Sequence, residues 1–508
     1  MYQPYIDLHT HSNKSDGQLS RRDLVLRARD AGIRILAITD HNYTEDLTEL
    51  RAEFGHDMTL IQGAEISCNY TLSNGGVREL HVIGLGFDPN HPAIQSVLRR
   101  NQPNRRPYVE KILKRLEENQ IFLGSYESLA ARFPDTQHLG RKHIAAVMVE
   151  KGYCKTDEEC FDVYIGSFGQ KKAFVPPMLE YVSLECAVES ILAAGGHAVL
   201  CHPIFYRMEW DDVVELATYF KQLTGDKGAM EVYYGLYSPE NRLALLRLAD
   251  RLGLMYSAAS DYHSEKGADR IDHRFSWTVC AQLLTRLGVP LPEAQSASDI
   301  LVVSGFSGSG KGTVLKKMLD DGVTVQGKPI QLVTSVTTRS RRSENDNYIF
   351  LTPEEFARLA DDNGLLECNG SYGAHSYGTP IAGVRKAAEA GIPCLEIDPV
   401  GLMRLITDGR VHPHRIHSVF LTAAPEELLR RLKKRGTEDD DAIRRRLTTA
   451  MTEATYVAEL YDAVIPSNVP VETAAQVIAA LEGHRCESTF DPCRFQSEMH
   501  TLLNADTL

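Results

Sequence analysis

The sequence predicts an α/β protein with two separate domains. Between Tyr5 and about Cys280, short β-branched runs alternate with amphipathic stretches, as in a βα barrel or layered scaffold. A second alternating region begins at Asp299 and contains a glycine-rich loop between an apolar strand and a helix, which is typical of a parallel-sheet domain. A segment that contains proline and serine separates the two regions and is the best candidate for a linker.

The length of 508 residues also exceeds what one hydrophobic core accommodates. We predict a first domain over residues 1–285, a linker over 286–298, a second domain over 299–483 and a tail over 484–508. The βα rhythm breaks at about 90–180, where 107–119 and 143–150 have helical patterns, so an α-rich insertion is predicted there. The tail has little periodicity, and we expect it to be peripheral.

The net charge of -13 disfavours proteins that wrap nucleic acid, because such binding depends on many Lys and Arg side chains, and we expect no stable DNA binding. Small anionic substrates remain compatible with this charge, since local cationic loops can overcome a negative global field. No signal segment opens the sequence, and no apolar run approaches the roughly 18 residues of a membrane span. The sequence therefore predicts a cytoplasmic protein that does not enter membranes.

Metal-ligand residues recur at the ends of the predicted strands of the first region. His9 and His11 alternate along one strand, so their side chains point the same way and can share an ion. Nine donors, enough for two or three divalent ions, are His9, His11, Asp16, His41, Glu65, His81, His202, Asp261 and His263. Because this set contains no thiolate, it favours Zn, Mn or Fe without separating them.

Clustered cations bind phosphoryl oxygens, lower the pKa of a bound water and neutralise charge at phosphorus, so hydrolysis of a phosphate ester is the expected reaction. Asp40 either binds an ion or, as is commoner, orients a neighbouring imidazole. The run Gly140-Arg141-Lys142-His143 in the insertion is either the exposed start of a helix or a cationic lip over the ions. In the second interpretation Arg141 and His143 would hold a substrate phosphate.

These residues lie in ordered motifs: Asp7-Leu8-His9-Thr10-His11 with Ser15-Asp16-Gly17, then Thr39-Asp40-His41, Gly63-Ala64-Glu65, His202-Pro203 and Ser260-Asp261-Tyr262-His263. Over about 280 residues the series resembles the PHP (polymerase and histidinol phosphatase) family. The resemblance implies a distorted βα barrel with a two- or three-metal site held by the nine donors. Within that family, the sequence is similar to the branch that acts on nucleotides and on cyclic or bisphosphorylated sugars, which carries a comparable insertion.

In the second domain, the glycine-rich loop follows the P-loop pattern, in which backbone N–H groups wrap the β- and γ-phosphates and a lysine bridges them. Gly312 replaces the usual Ser or Thr, and Thr313 can supply the hydroxyl one position later. The predicted ATP-binding residues are Gly305, Ser307, Gly308, Ser309, Gly310, Lys311, Gly312 and Thr313.

Residues further along indicate the phosphoryl acceptor. Ser335, Arg339 and Arg342 belong to a cluster that can clamp a monophosphate, because guanidinium groups match phosphate geometry. Glu367 can accept hydrogen bonds from N1–H and the exocyclic amine of guanine, a donor pattern that adenine lacks, and this favours GMP.

A basic run that begins at Arg430 is either a solvated helix face or a mobile lid over the γ-phosphate. We favour the lid, because phosphoryl transfer needs mobile cations at that phosphate. Its catalytic residues would be Arg431, Arg435 and Arg446, together with Lys311 of the loop.

Together these motifs resemble guanylate kinase over about 180 residues. The resemblance implies a P-loop kinase core with a GMP-binding subdomain and an arginine lid, with ATP and Mg as the phosphoryl donor. By position, GMP would be held by Arg339, Arg342, Tyr348, Glu367 and Tyr377, with Ser335 and Asp398 assisting. The chain departs from the family pattern at 341–344 and 372–377, both at the acceptor site.

The sequence thus predicts a bifunctional enzyme that hydrolyses a phosphate ester and phosphorylates GMP. One alternative joins a cyclic ribose phosphate hydrolase to a ribose 1,5-bisphosphate kinase, but such kinases lack a guanine-reading carboxylate, so Glu367 and Tyr348 argue against it. Another alternative is a kinase-like module that only binds nucleotide, and the intact Lys311 speaks against that.

Overall fold

The computed structural model describes residues 5–101, 106–134, 136, 139–166, 169–175, 181–265, 270–271, 273–291, 299–341, 348–369, 375–436, 439–483 and 490–504. The chain divides into two compact units, Tyr2–Pro292 and Glu293–Leu508. This division lies inside the segment that the sequence suggests as a linker, of which 292–298 lie outside the described residues. Among the described helices, none combines the length and apolar character that crossing a bilayer requires.

The strands of the first unit are β1 (Tyr5–Asp7), β2 (Ile33–Ile38), β3 (Thr59–Thr71), β4 (Val77–Leu85), β5 (Val182–Ser183), β6 (His197–Leu200), β7 (Gly228–Tyr234) and β8 (Met255–Ala259). Its helices are α1 (Arg21–Asp30), α2 (Thr48–Phe54), α3 (Pro92–Arg100), α4 (Arg106–Glu118), α5 (Tyr126–Ala130), α6 (Arg141–Glu150), α7 (Asp157–Cys160), α8 (Leu184–Ala193), α9 (Trp210–Thr224), α10 (Pro239–Leu252) and α11 (Ala281–Arg286).

The main sheet of this unit has the order β1-β2-β3-β4-β6-β7-β8, and β5 pairs with β3. Strand β4 is antiparallel to both of its neighbours, whereas the other pairs are parallel. Two backbone hydrogen bonds join the β1 edge of the sheet to the β8 edge. Leu8 N donates to Ala258 O (2.9 Å), and Asp261 N donates to His9 O (3.0 Å). The sheet therefore closes into a distorted barrel, and the predicted α/β class is confirmed.

Helices α4 to α7 belong to the region where the sequence predicts an insertion. They pack around a hydrophobic core of their own that includes Val109, Ile112, Ile144 and Met148. Because this core is separate from that of the barrel strands, the helices can form a layer beside the sheet without interrupting it.

The strands of the second unit are β9 (Ile300–Gly305), β10 (Thr324–Val325), β11 (Lys328–Leu332), β12 (Val336–Thr337), β13 (Ile349–Phe350), β14 (Leu365–Asn369), β15 (Tyr377–Pro380), β16 (Ile392–Leu395), β17 (Ile416–Thr422) and β18 (Ala463–Pro466). Its helices are α12 (Lys311–Asp320), α13 (Pro353–Asp361), α14 (Ile381–Ala390), α15 (Pro399–Thr407), α16 (Pro425–Arg435), α17 (Asp440–Leu460), α18 (Pro470–Leu481) and α19 (Pro492–Asn504).

Two sheets form this unit. The larger has the order β10-β11-β16-β9-β17-β18 and is parallel except for the β10–β11 hairpin. The smaller has the order β13-β12-β15-β14. Because β9 lies between β16 and β17, the glycine-rich loop that follows it opens at the carboxyl edge of the sheet, where parallel α/β sheets bind ligands.

Helix α19 differs from the expectation of a peripheral tail. It contacts α16 and α17, and its Phe495 and Met499 are buried. These two residues are four positions apart and therefore lie on one face of the helix. Two apolar positions are too few to give a periodic pattern that the sequence would reveal.

Candidate functional site

The nine predicted metal donors converge at one end of the first unit. His9 and His11 follow β1, His41 follows β2, and Glu65 and His81 lie within β3 and β4. His202 follows β6, and Asp261 and His263 follow β8. Parallel strands bring their carboxyl ends to one edge of a sheet, which is why the donors after β1, β2, β6 and β8 meet there although some lie about 250 positions apart. Glu65 and His81, predicted at strand ends, lie instead inside the antiparallel pair β3–β4.

Glu65 is the centre of the cluster and is fully buried. Its Oε2 lies 3.4 Å from His9 Nε2, 3.3 Å from His11 Nε2 and 2.8 Å from His41 Nδ1, and its Oε1 lies 2.8 Å from His81 Nδ1 and 3.1 Å from His202 Nε2. Five imidazoles therefore share one carboxylate.

Two further carboxylates complete the cluster. Asp16 Oδ1 lies 3.2 Å from His263 Nε2 and 3.8 Å from His41 Nε2. Asp261 Oδ1 lies 3.2 Å from His9 Nε2 and 3.1 Å from His11 Nε2. Among the described residues, four groups have all their ligand atoms within 4.8 Å of one another: His11 with Asp16, His41 and His263; His9 with His11 and Asp261; His41 with Glu65 and His81; and His9 with Glu65 and Cys201, a buried thiol that the sequence prediction did not include.

The residues fit divalent ions. Among the described residues, Glu65 Oε2 and Asp16 Oδ1 are buried and have no hydrogen-bond partner, although imidazole nitrogens surround them. His9 Nε2 and His11 Nε2 are 3.0 Å apart. Separations of this size are those of ligands that share one ion at about 2.1 Å, and oxygen and nitrogen donors of this kind suit Zn, Mn or Fe.

The protonation states divide the donors. Burial lowers the pKa of His9, His81 and His263, but the neighbouring carboxylates outweigh it and raise all three above the ordinary value, so an ion would have to displace protons from these rings. Burial, with the nearby His263 and His41, lowers the pKa of His11 to about 3, so its lone pairs are available at neutral pH. Burial alone would raise the pKa of Glu65, but the surrounding imidazoles hold it well below its ordinary value. Burial likewise opposes ionisation of Asp261, whose pKa His9 and His263 nonetheless keep well below the ordinary range. The carboxylates are therefore charged and can bind cations.

Glu231 supports the cluster and was missed by the sequence reasoning. It lies in β7 and is fully buried. Its Oε1 is 2.7 Å from His9 Nδ1, and its Oε2 accepts a hydrogen bond of 2.7 Å from His202 N. A carboxylate on the far nitrogen of a ligand histidine fixes the ring and its tautomer. The one available signal was an acidic residue in the otherwise apolar and aromatic run 228–234.

Asp40 does not contact the cluster directly. Its oxygens accept hydrogen bonds from Ser12 N (2.8 Å), Ser12 Oγ (2.7 Å) and Ser15 Oγ (2.7 Å). Ser15 Oγ in turn lies 3.4 Å from His11 Nδ1. Asp40 therefore holds the loop that carries the donors, which agrees with the orienting interpretation and not with direct ligation.

A cavity of about 220 Å³ opens over Asp16, His41 and His81, and 140–143 form part of its wall. Lys142 Nζ lies 3.3 Å from Asp16 Oδ2. Arg141 and His143, the two predicted residues, also line this cavity. His143 Nδ1 accepts a hydrogen bond of 3.1 Å from Gly140 N, so the histidine also caps α6. The insertion thus supplies a cationic wall, and Lys142, which belongs to the predicted run but was not assigned a role, is the residue that reaches a donor.

In the second unit, the glycine-rich loop connects β9 to α12. Gly308 and Gly310 have φ of 90° and 95°, which residues with a Cβ rarely adopt. Lys311 Nζ donates hydrogen bonds to Gly305 O (2.5 Å) and Phe306 O (3.4 Å), so the ammonium group lies over its own loop as predicted. Burial lowers the pKa of Lys311.

Two of the three predicted lid arginines reach this loop. Arg446 Nη1 donates to Ser307 Oγ (2.5 Å), and Arg431 Nη1 donates to Ser309 O (3.0 Å). Arg435 is exposed at the end of α16. The remaining predicted loop residues, Gly312 and Thr313, open α12.

The predicted acceptor residues lie around the smaller sheet. Glu367 of β14 is buried and accepts a hydrogen bond of 2.7 Å from Thr379 Oγ1, and burial raises its pKa to about 7. The Arg339 guanidinium stands 4.8 Å from the centre of the Tyr348 ring, which is 6.0 Å from the Tyr377 ring.

Two further acceptor predictions have structural partners. Asp398 caps α15 by accepting a hydrogen bond of 2.7 Å from Gly401 N, and it also accepts one of 2.9 Å from Asn369 Nδ2. Ser335 O accepts a hydrogen bond of 2.9 Å from Ile349 N. Arg342 lies outside the described residues.

Known proteins match the two halves separately. The PHP domain family matches residues 7–139, and the guanylate kinase family matches 297–483. The 5'-3' exoribonuclease Rnm of Escherichia coli is 34% identical over 52% of this chain and 86% of its own length. The 3',5'-nucleoside bisphosphate phosphatase of Chromobacterium violaceum is 32% identical over 52% of this chain and 90% of its own length.

The guanylate kinase of Caldanaerobacter subterraneus is 36% identical over 36% of this chain and 85% of its own length. The matched ranges contain the glycine-rich loop and most of the metal donors that converge in the structure. The chain therefore belongs to two families at once, with a PHP domain in its first unit and a guanylate kinase domain in its second.

Proposed function

We propose that this chain is a bifunctional nucleotide enzyme. Its PHP domain would hydrolyse a phosphate ester of a nucleotide, and its guanylate kinase domain would transfer a phosphoryl group from ATP to GMP. The observation that carries the hydrolytic half is the meeting of nine imidazole and carboxylate donors beside a wall that presents Arg141 and Lys142.

The nine donors would hold two or three Zn, Mn or Fe ions, which supply an activated water and neutralise charge at phosphorus. Lys142 and Arg141 line the cavity, Lys142 beside the donor Asp16, and their charges can bind a substrate phosphate next to the donors. Glu231 orients His9 through its Nδ1, and Asp40 holds the loop that carries the donors through Ser12.

A nucleotide substrate is supported by the two PHP relatives, which are named as a 5'-3' exoribonuclease and a 3',5'-nucleoside bisphosphate phosphatase. Both names denote attack on a phosphate attached to a nucleoside. An enzyme of this kind that acts on RNA releases mononucleotides, including GMP, so the product of the first domain would be the acceptor of the second.

The hydrolytic half can be tested with full-length protein loaded with Mn²⁺. Phosphate or mononucleotide release is measured from a nucleoside 3',5'-bisphosphate, a 5'-phosphorylated short RNA and a cyclic ribose phosphate. We expect turnover of a nucleoside-containing substrate, its loss in Glu65→Gln, and full retention in His56→Ala, because His56 is an exposed histidine outside the cluster. Turnover of the cyclic ribose phosphate alone would contradict the proposal.

The kinase half is supported by two separate features. Lys311 lies over the phosphate loop, and a buried carboxylate, Glu367, lies in the smaller sheet where the acceptor residues are found. ADP formation from ATP is measured with GMP, AMP or ribose 1,5-bisphosphate as the acceptor. We expect GMP to be preferred. Preference for the ribose bisphosphate, or no ADP with any acceptor, would contradict the proposed kinase activity and would leave the proposed hydrolytic activity unaffected.

A further inference from the structure

Phe306, the second residue of the glycine-rich loop, is completely buried by aromatic rings. The ring of Phe420, from β17, meets it edge-on at 4.7 Å with an interplanar angle of 80°. The ring of Phe495, from α19, stacks on it at 4.6 Å with an interplanar angle of 9°. The loop is therefore held on one side by the sheet and on the other by a helix that follows the matched kinase region, 297–483.

The same helix also holds α17. Gln496 Nε2 donates a hydrogen bond of 3.1 Å to Met451 O, and Arg444 Nη1 donates one of 2.7 Å to Leu503 O. Arg446, two residues along α17, is the arginine that donates to Ser307 Oγ in the loop. Helix α19 thus contacts both elements that must face the phosphates of ATP.

We propose that α19 is a positioning element for ATP, in which Phe495 fixes the phosphate loop through Phe306. The idea rests on the kinase function proposed above. A loop binds phosphates through its backbone N–H groups only when these already point inward, and Gly308 and Gly310 leave the loop otherwise free to adopt other conformations. Arg431 and Arg446 hold the loop by hydrogen bonds, whereas Phe306 is its apolar anchor, and Phe495 stacks on that ring.

The decisive change is Phe495→Ala in the full chain, with Met499→Ala as the matched control. Met499 is completely buried on the same helix face one turn further on, and it has no aromatic ring to stack on Phe306. An aromatic pair of this kind corresponds to a change in affinity of about three- to tenfold. We expect F495A to raise the KM for ATP by about that factor, with a smaller change in kcat.

Two measurements separate positioning from general stability. Titration of ATP without any acceptor should give the same loss of affinity, and backbone hydrogen exchange at 305–310 should quicken in F495A but not in M499A. Phe495→Leu, which keeps an apolar side chain, should recover part of the affinity and serves if F495A does not fold.

Equal ATP affinity in F495A and the wild type would overturn the proposal. So would equal losses in F495A and M499A, since these would reflect only a destabilised helix. If the wild type formed no ADP with GMP, the proposed kinase reaction would fail, but the comparison of ATP affinities would still decide the role of α19.

Discussion

Replacement of Glu367 by glutamine should weaken GMP binding and at the same time stabilise the folded protein at alkaline pH. The carboxyl is buried, and burial raises its pKa from 4.5 to about 7. Between these values the folded protein keeps a proton that the unfolded chain releases, so folding stability falls as pH rises from 4.5 to 7 and stays low above 7. The shift corresponds to about 3 kcal/mol, which a neutral glutamine of the same shape would restore.

The same change removes the charge that would bind guanine. A carboxylate accepts the two guanine donors in charge-assisted hydrogen bonds of about 1.5–3 kcal/mol each, whereas glutamine offers only one oxygen. We expect the KM for GMP to rise about 100-fold in E367Q with the KM for ATP unchanged. In the wild type, the KM for GMP should rise as pH falls below about 7, because the protonated carboxyl loses an acceptor.

The assays are steady-state ADP formation and urea unfolding, both at pH 5 and pH 8. Glu389→Gln, an exposed carboxyl on α14, is the control and should change neither quantity. The reasoning would be refuted if E367Q turned over GMP like the wild type, or if its gain in stability were the same at both pH values.

Three further predictions concern other parts of the two sites. Lys311→Met should lower ADP formation by about 10²- to 10³-fold with little change in unfolding temperature, since a preorganised cation at the phosphates is lost; a near-normal rate would remove the lysine from the mechanism. Glu231→Gln should weaken metal binding by about 10- to 100-fold, because glutamine removes the negative charge and leaves one acceptor oxygen where His9 and His202 N use two, and metal content after dialysis measures this with kinase activity as the control. Lys142→Ala should raise the KM for the phosphate ester about tenfold through loss of a cation at the cavity wall; an unaltered KM would exclude the lysine from substrate binding.

Much of both sites follows from local sequence patterns. The glycine-rich loop lies between β9 and α12, as its pattern predicts. His9 and His11, predicted to alternate along one strand, lie instead just after β1, which ends at Asp7, and their Nε2 atoms are 3.0 Å apart. Glu65 lies inside β3 and not at a strand end, but the positions of His202 and Asp261 just after β6 and β8 were predicted. Their close approach was predictable because parallel strands place these ends together.

Other features depend on contacts between residues far apart in the chain. Glu231 has no motif around it, and its role appears only because the closed sheet brings a side chain of β7 to His9, 222 positions away. Asp40 had two plausible roles, and the path of the Ser12–Ser15 loop decided between them. Lys142 shares its run with Arg141 and His143, and only the fold of the insertion brings it to Asp16.

By itself, the sequence determined the two α/β domains, the nine metal donors and the phosphate loop, because each of these depends on residue type and short-range spacing. Only the tertiary structure decided which carboxylate supports His9, how the insertion forms a wall of the cavity, and that Phe495 packs on Phe306. The physical reason is that such contacts form between elements whose relative placement results from burial of the whole apolar surface, and no local pattern encodes that placement.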